Sequence, residues 1–414
     1  MFRRFWENNG GNPTVLALSL ARLGDAVGNS VLFVTIPLYV AALPAPVFGV
    51  PETVRIGILL SLYGLVVAIF QPFTGAWSDR VGKRKLFIQG GLVLMGLSTL
   101  AFVIANQFSE LLVFRIIQGL GVAVTVPAAV ALIAVSSHRK SRGGTMGIYT
   151  MFRMLGLGIG PLIGGAIYDR FGFSPSFYAA TGFILLGVVV VQIFVHDIAE
   201  RPNKSIEDPV EPPEDEEGTF KIFDFGLLSA GLVGAAFATF VMAAAFSMMT
   251  TLEAQFNARL GMTALSFGIA FSALMISRLI FQVPLGRLSD IWGRRPILIA
   301  GLLLMVPTTA LLGYAASVFQ LTALRVFQGV ASAAIAAPAF AVAADLAKEG
   351  GEGRQMSIVT MGFGLGVALG PLIAGLLAII SFPLPFIVGG LLSLLGAWVI
   401  WRYVPETAPK SEGE

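Results

Sequence analysis

A chain of 414 residues with 56% hydrophobic residues, 12% charged residues and a mean hydropathy of +0.83 cannot cover a soluble fold with polar surface, since an ordinary soluble domain is about one quarter charged. The net charge is only +3, and there is no cysteine, which excludes disulfides, thiol catalysis and thiolate metal sites. His138 and His196 stand apart in polar stretches, so no metal centre and no cofactor is expected, and neither an enzyme nor a nucleic-acid partner is indicated.

The N-terminus carries Arg3 and Arg4, but the apolar run behind it is longer than a signal-peptide core and should stay as the first span. A helix needs about 20 apolar residues to cross the hydrocarbon. On that basis spans are predicted near residues 14 to 40, 55 to 76, 86 to 105, 109 to 135, 144 to 168 and 173 to 195. A second set is predicted near 225 to 252, 264 to 286, 297 to 316, 319 to 344, 355 to 379 and 383 to 402. Two joins rest on short breaks only, Asn106 to Glu110 and Ser317 to Gln320. The expectation is an all-α polytopic membrane protein of 12 transmembrane helices, built as two six-helix halves, 1–195 and 225–414. Between them, 196–224 is rich in Pro and Glu and reads as an acidic cytoplasmic linker.

Lys and Arg fall on alternate loops. One side receives Arg80, Lys83, Arg84, Lys85, Arg139, Lys140, Arg142, Arg287, Arg294, Arg295, Lys348 and Arg354, whereas the other holds Arg55, Arg170 and Arg259. The positive-inside tendency then places both termini in the cytoplasm, in the inner (plasma) membrane of the cell.

The halves repeat one another. IFQPFTGAWSDRVGKRK at 69 to 85 matches IFQVPLGRLSDIWGRRP at 280 to 296, and FRIIQGLG around Arg115, Gln118 and Gly119 matches LRVFQGVA around Arg325, Gln328 and Gly329. GLGIGPLIGG at 156 to 165 matches GVALGPLIAG at 366 to 375. The blocks share an offset of 210 or 211 residues. Two homologous halves about an axis along the membrane normal imply a cavity between them and alternating access to it.

These blocks resemble the major facilitator superfamily, from residue 14 to 404. Gly75, Asp79, Arg80, Gly82, Lys83 and Arg84 fall on its signature loop between the second and third helices, with Trp77 where Leu is usual. The second copy retains Gly286, Leu288, Asp290, Gly293, Arg294 and Arg295 but has Ile291 in place of Arg80, so the first copy is expected to be the stronger gating element. An aspartate at a helix end can accept from helix-end amides or pair with an arginine, and Asp79 is assigned such a locking role. Gly156, Gly160 and Gly164 share one helix face and allow close approach of a partner, Pro161 should bend the helix, and Gly165 completes a pattern that resembles the antiporter motif of drug:proton exporters. Helix packing alone is the alternative. In the second copy Ala374 replaces one of the glycines.

Ionisable groups inside a span are costly and usually face a cavity. Arg22 and Asp25, three apart in the first span, could pair and serve either as structural glue or as a proton-coupling site. Arg115, which resembles an arginine of drug:proton antiporters, cannot release a proton but can tune a nearby carboxylate, and Arg325 with Gln328 repeats it. Arg153 and Arg278 could reach an anionic substrate, a lipid headgroup or a carboxylate. Glu253 falls at the outer cavity mouth or in a loop, and Met242, Phe246, Met248 and Met249 near it could line a pliable surface or simply pack. Asp345 lies at the end of the tenth span beside Lys348. The expected partners are a small-molecule substrate, protons and membrane lipids, with the chain acting as a monomer. The expected function is proton-coupled export of small amphipathic or hydrophobic compounds; a symporter or facilitator for sugars, organic acids or lipid-like solutes is the alternative.

Overall fold

A computed structural model describes residues 12–44, 49–137, 142–195, 229–346 and 352–408. The linker 196–224, both histidines, Arg139, Lys140 and Lys348 lie outside the described residues.

The first set of helices comprises α1 (Pro13–Ala42), α2 (Glu52–Val81), α3 (Arg84–Ala101), α4 (Phe108–Ser136), α5 (Arg142–Phe171) and α6 (Phe173–Phe194). The second comprises α7 (Ala230–Thr251), a short α8 (Glu253–Leu260), α9 (Ala264–Trp292), α10 (Arg294–Ala310), α11 (Val318–Asp345), α12 (Glu352–Ala378) and α13 (Leu384–Tyr403). All but α8 are long and apolar enough to cross a bilayer, α3 and α10 each being lengthened by a 3₁₀ turn. The fold is thus the expected all-α, 12-span arrangement. The short breaks are capping motifs. Glu110 accepts from the backbone N–H of Asn106 (2.7 Å) and Gln107 (3.2 Å), and in the second copy Ser317 accepts from Gln320 N while Gln320 accepts from Ala316 N.

Helix ends differ most from expectation at the signature blocks. Hydropathy ends near 76 and 286, but α2 continues to Val81 and α9 to Trp292. Charged residues end the apolar run without interrupting the hydrogen-bond ladder, and α2 stops only where Gly82 adopts φ 70°, its N–H donating to Ser78 O. Asp79 is therefore on a helix and not in a loop. The seventh span begins at Ala230, later than the predicted 225.

An even number of crossings puts the chain's two ends at the same end of the bundle, called the near end here. α1 packs on α5 and α6, and α7 packs on α12 and α13. These two first helices are the most enclosed, with 72% and 78% of their central stretches buried against 33% for α6. Contact between the sets runs chiefly through α2 with α12 and α5 with α9.

That contact tightens toward the far end. Thr53 Oγ1 donates to Gly375 O (3.0 Å), Leu372 N donates to Ser61 Oγ (3.0 Å), and Asp169 of α5 accepts from Ala264 N (3.1 Å) and Leu265 N (2.9 Å) at the start of α9. A Cβ on Gly165 would meet Ala264 O at 2.5 Å, whereas one on Gly158, two turns nearer the termini, would meet α9 only at 3.6 Å. At the near end Trp77 of α2 and Trp292 of α9 are 60% and 69% exposed. The sets touch at one end and part toward the other.

Candidate functional site

α1 carries the polar centre of the first set because three of its buried polar side chains share one helical face. Arg22 and Asp25 form an ion pair, with side chains 11% and 3% exposed. One turn on, Asn29 Nδ2 donates to Asp25 Oδ1 at 2.5 Å. Charge and hydrogen bonding together make a carboxylate tolerable at this depth. Tyr63 of α2 approaches Asn29 Oδ1 at 3.5 Å, and the Arg22 guanidinium lies 5.8 Å from the ring of Tyr149 on α5. A cavity of about 10 Å³ beside Arg22, Asp25 and Tyr149 has about the room one water needs. Asn29, Tyr63 and Tyr149 escaped the sequence reading. The four-residue step from Asp25 to Asn29 was visible, but the two tyrosines come from other helices.

Arg115 does not reach Asp25. Its Nη1 donates to Gln118 Oε1 (2.6 Å), Gln118 Nε2 donates to Thr99 Oγ1 (2.8 Å), and the guanidinium faces the rings of Tyr63 (5.3 Å) and Phe102 (5.8 Å). The second set reproduces this device: Arg325 to Gln328 (2.7 Å), Gln328 to Thr309 (3.0 Å), with Arg325 over Phe271 at 5.2 Å. Both arginines are buried, and neither has a carboxylate partner among the described residues. The expectation that Arg115 tunes a nearby carboxylate is corrected accordingly: its polar partner is Gln118, and the ring of Tyr63 lies over it.

Between the sets lies an apolar cluster. Phe33 of α1, Leu157 of α5, Phe246 of α7, Phe271, Leu274 and Met275 of α9 and Val367 of α12 pack together, with Phe271 5.6 Å from Phe33 and 5.2 Å from Phe246. Phe246 thus belongs to a cluster that spans both sets. Met242, Met248 and Met249 instead fill three separate buried clusters, so they form no continuous lining. On the near-end side of the Phe271 cluster stand Arg153 of α5 and Arg278 of α9, both half-buried.

The glycine motif divides its work. Gly156, Gly160 and Gly164 bring α5 onto α1 at Ala26, Val27, Ser30 and Val31, and Ser30 Oγ donates to Gly156 O (3.0 Å). Gly165 faces Ala264 and Leu265 of α9 instead, and the carbonyl oxygen of Pro161, within α5, meets Gly268.

At the near end, Asp79 is exposed and paired only loosely with Arg84 (3.4 Å), not seated on helix-end amides. Arg80 is exposed too, and Gly75 packs on Pro127 of its own set. The second copy is tied to other elements of its own set. Arg294 pairs with Asp290 (3.5 Å) and with Asp345, and Glu406 accepts from Arg294 N (2.8 Å) and Arg295 N (3.1 Å). Burial alone would raise the Glu406 carboxyl, but the backbone donors of Ala408, Arg294, Arg295 and Thr407 outweigh it and hold it below its ordinary value.

Glu253 is neither in a loop nor at an open mouth. It begins α8, is fully buried, and neither carboxylate oxygen has a hydrogen-bond partner among the described residues. Burial, and secondarily the charge of Asp169, push its carboxyl well above its ordinary value, which favours the protonated form. No group of His, Cys, Asp and Glu that could hold a metal ion occurs among the described residues.

Two six-span sets with matched buried arginines agree with the family comparison, in which the profile of the Major Facilitator Superfamily matches residues 18–251 and 232–414. The chain belongs to the Major Facilitator Superfamily. Membership in this superfamily makes it a membrane transport protein and not a catalytic enzyme. It is 31% identical to citrate exporter 1 of Aspergillus niger over 135 residues, 32% of this chain and only 26% of that protein. It is 27% identical over 357 residues, 83% of this chain, to the uncharacterised transporter YuxJ of Bacillus subtilis, covering 87% of it. The multidrug resistance protein MdtG of Escherichia fergusonii is 26% identical over 67% of each chain. Among solved superfamily structures, a bacterial homologue of the human lysosomal transporter Spinster, inward-facing and occupied, superposes with a TM-score of 0.76 at 16% identity, covering 95% of this chain and 97% of that one. The human organic anion transporter MFSD10 superposes with a TM-score of 0.64 at 19% identity, over 94% and 99%. At such identities these two likenesses concern the fold.

Proposed function

We propose that this chain is a secondary active transporter that exports small amphipathic compounds in exchange for protons by alternating access, with both termini in the cytoplasm of a plasma-membrane location. The two halves, 1–195 and 225–414, act as the rocking bodies and 196–224 as their tether. The near end, which carries most of the Lys and Arg, then faces the cytoplasm, and the arrangement described above is open toward it. Export is supported by the full GxxxGPxxGG block at 156 to 165 and by the printed names of relatives such as the multidrug resistance proteins MdtG.

One observation carries the coupling: Asp25 is a buried carboxylate held by an arginine and an amide on its own helix, and it lines a small cavity with Tyr149 of α5. A coupling group must change its proton affinity with the side to which the cavity opens. Asp25 is placed for that role because rocking of one half against the other changes which side's water reaches the small cavity it shares with Arg22 and Tyr149. In proteoliposomes with an imposed pH gradient, Asp25→Asn should abolish gradient-driven accumulation while substrate binding and downhill movement persist. Unchanged accumulation removes Asp25 from the role. Loss of binding, downhill flux and thermal stability together identifies the pair as structural only. Everted vesicles challenged with a compound panel, with and without a proton gradient, test the direction.

A further inference from the structure

Arg153 and Arg278 come from opposite halves. The antiparallel contact of α5 with α9 pairs Gly165 with Ala264 and Leu265, Pro161 with Gly268, and Gly158 with Met275 and Ile276. Continued for about one turn, that register brings Arg153 level with Arg278. At that level the positive charge of Arg153 acts on Arg278 across the gap between the sets. Neither makes an ion pair among the described residues, and Arg278 Nε is buried without a hydrogen-bond partner. Within its own half Arg153 feels the like charge of Arg22 and the carboxylate of Asp25, which is already engaged by Arg22 and Asn29. Beside Arg278 lies the ring of Phe363 at 5.7 Å, and toward the far end lies the apolar cluster of Phe33, Phe246 and Phe271.

Two like charges level with each other on opposite halves at membrane depth, neither in an ion pair among the described residues, are a costly arrangement unless an anion comes between them. A cationic solute would add a further positive charge to that place. Resting on the transport reading above, we infer that the transported compound is an amphipathic organic anion whose carboxylate, sulfonate or phosphate bridges Arg153 and Arg278 and whose apolar body lies on the phenylalanine cluster. Each guanidinium donates to the anionic group, as arginine does to such oxygens. Because one arginine stands on each half, the anion replaces repulsion by attraction across the gap and draws the open near end together. Substrate thereby assists the closure that precedes its release on the opposite side.

The test is counterflow, which requires no proton gradient and therefore stands or falls separately from proton coupling. Full-length protein in proteoliposomes is loaded with unlabelled compound, and entry of labelled naphthalene-2-sulfonate is compared with that of labelled (2-naphthylmethyl)trimethylammonium, which presents the same ring with the opposite charge. Wild type should exchange the sulfonate about tenfold faster or more, a difference of the size one charge-assisted contact supplies. Arg153→Gln and Arg278→Gln should each remove most of that preference, while Arg153→Lys and Arg278→Lys, which keep charge, should retain part of it and control for folding. Labelled lysophosphatidylglycerol forms a third arm, and its exchange in place of the sulfonate, with the same dependence on both arginines, assigns the anion to a lipid headgroup. Equal or faster exchange of the ammonium compound, no exchange of either anion by correctly inserted protein, or a preference indifferent to both arginines overturns the inference. Anion counterflow without any response to a pH gradient would leave it intact and remove the coupling reading instead.

Discussion

The two halves repeat their scaffold but not their chemistry. Gly160 meets Val27 and Ser30 of α1, and Gly370 meets Ala244 and Ser247 of α7, so positions 217 apart in these two helices are structural equivalents. By that correspondence Arg22, Asp25 and Asn29 stand where the second half has Thr239, Met242 and Phe246. Within the helices Ser30 and Ser247 keep the same polar role, each donating to a glycine carbonyl of the facing helix. The lesson is a division of labour: packing glycines and buried Arg–Gln–Thr triads serve both halves, whereas α1 carries an ion-paired carboxylate where α7 presents methionine and phenylalanine.

If the scaffold is shared, its disruption should cost the same in either half. Gly160→Val and Gly370→Val each place a branched side chain where even a Cβ collides with backbone and a serine hydroxyl, and each should destabilise the protein by about 3 kcal/mol. Thermal unfolding in detergent measures both. A large effect in one half alone would break the symmetry of packing, whatever the sequence repeat says.

A smaller effect should sharpen the contrast at the far end. The raised Glu253 carboxyl favours the far-closed arrangement in its protonated form, so its contribution is present at low pH and fades as pH rises from the ordinary carboxylate range through the raised value. With no native cysteine to remove, spin labels on Ile104→Cys and Phe319→Cys report opening at that end directly. Distances should lengthen with pH in wild type, whereas Glu253→Gln, a neutral mimic, should stay closed throughout. The same pH profile in both proteins would remove Glu253 from the latch.

The smallest effect is expected at the near end. Asp79 and Asp290 side chains are 61% and 58% exposed and paired at 3.4 and 3.5 Å, so Asp79→Asn and Asp290→Asn should each change stability by less than about 1 kcal/mol. Turnover should fall more for Asp79→Asn, because the first copy keeps Arg80 where the second has Ile291 and so holds the fuller signature. Equal turnover in the two variants would erase that distinction.

Sequence disclosed what hydropathy and helical spacing govern. The spans emerged because lipid demands long apolar helices, and the Arg22–Asp25 pair emerged because residues three apart on a helix are neighbours. It concealed what depends on register between helices. The cap that Asp169 provides for α9, the approach of Tyr63 to Asn29 and the facing of Arg153 with Arg278 each join residues from different elements, and one chain read alone carries no measure of that register. Glu253 misled for another reason: a charge just past an apolar run looks exposed, yet α8 folds back and buries it.

The uneven grip of α5 on α9, firm at Gly165 and relaxed by Gly158, makes the pair a set of tongs with its pivot near the far end. From Met275 to Trp292 the free arm measures roughly 25 Å, so each degree of rock carries its tip by about 0.4 Å. Small changes at the pivot are therefore magnified at the tip. Adding a single methyl group at the pivot would limit the stroke far more than an equal addition anywhere along the free arm, and a molecule lodged between the tips would hold the tongs apart with the greatest leverage.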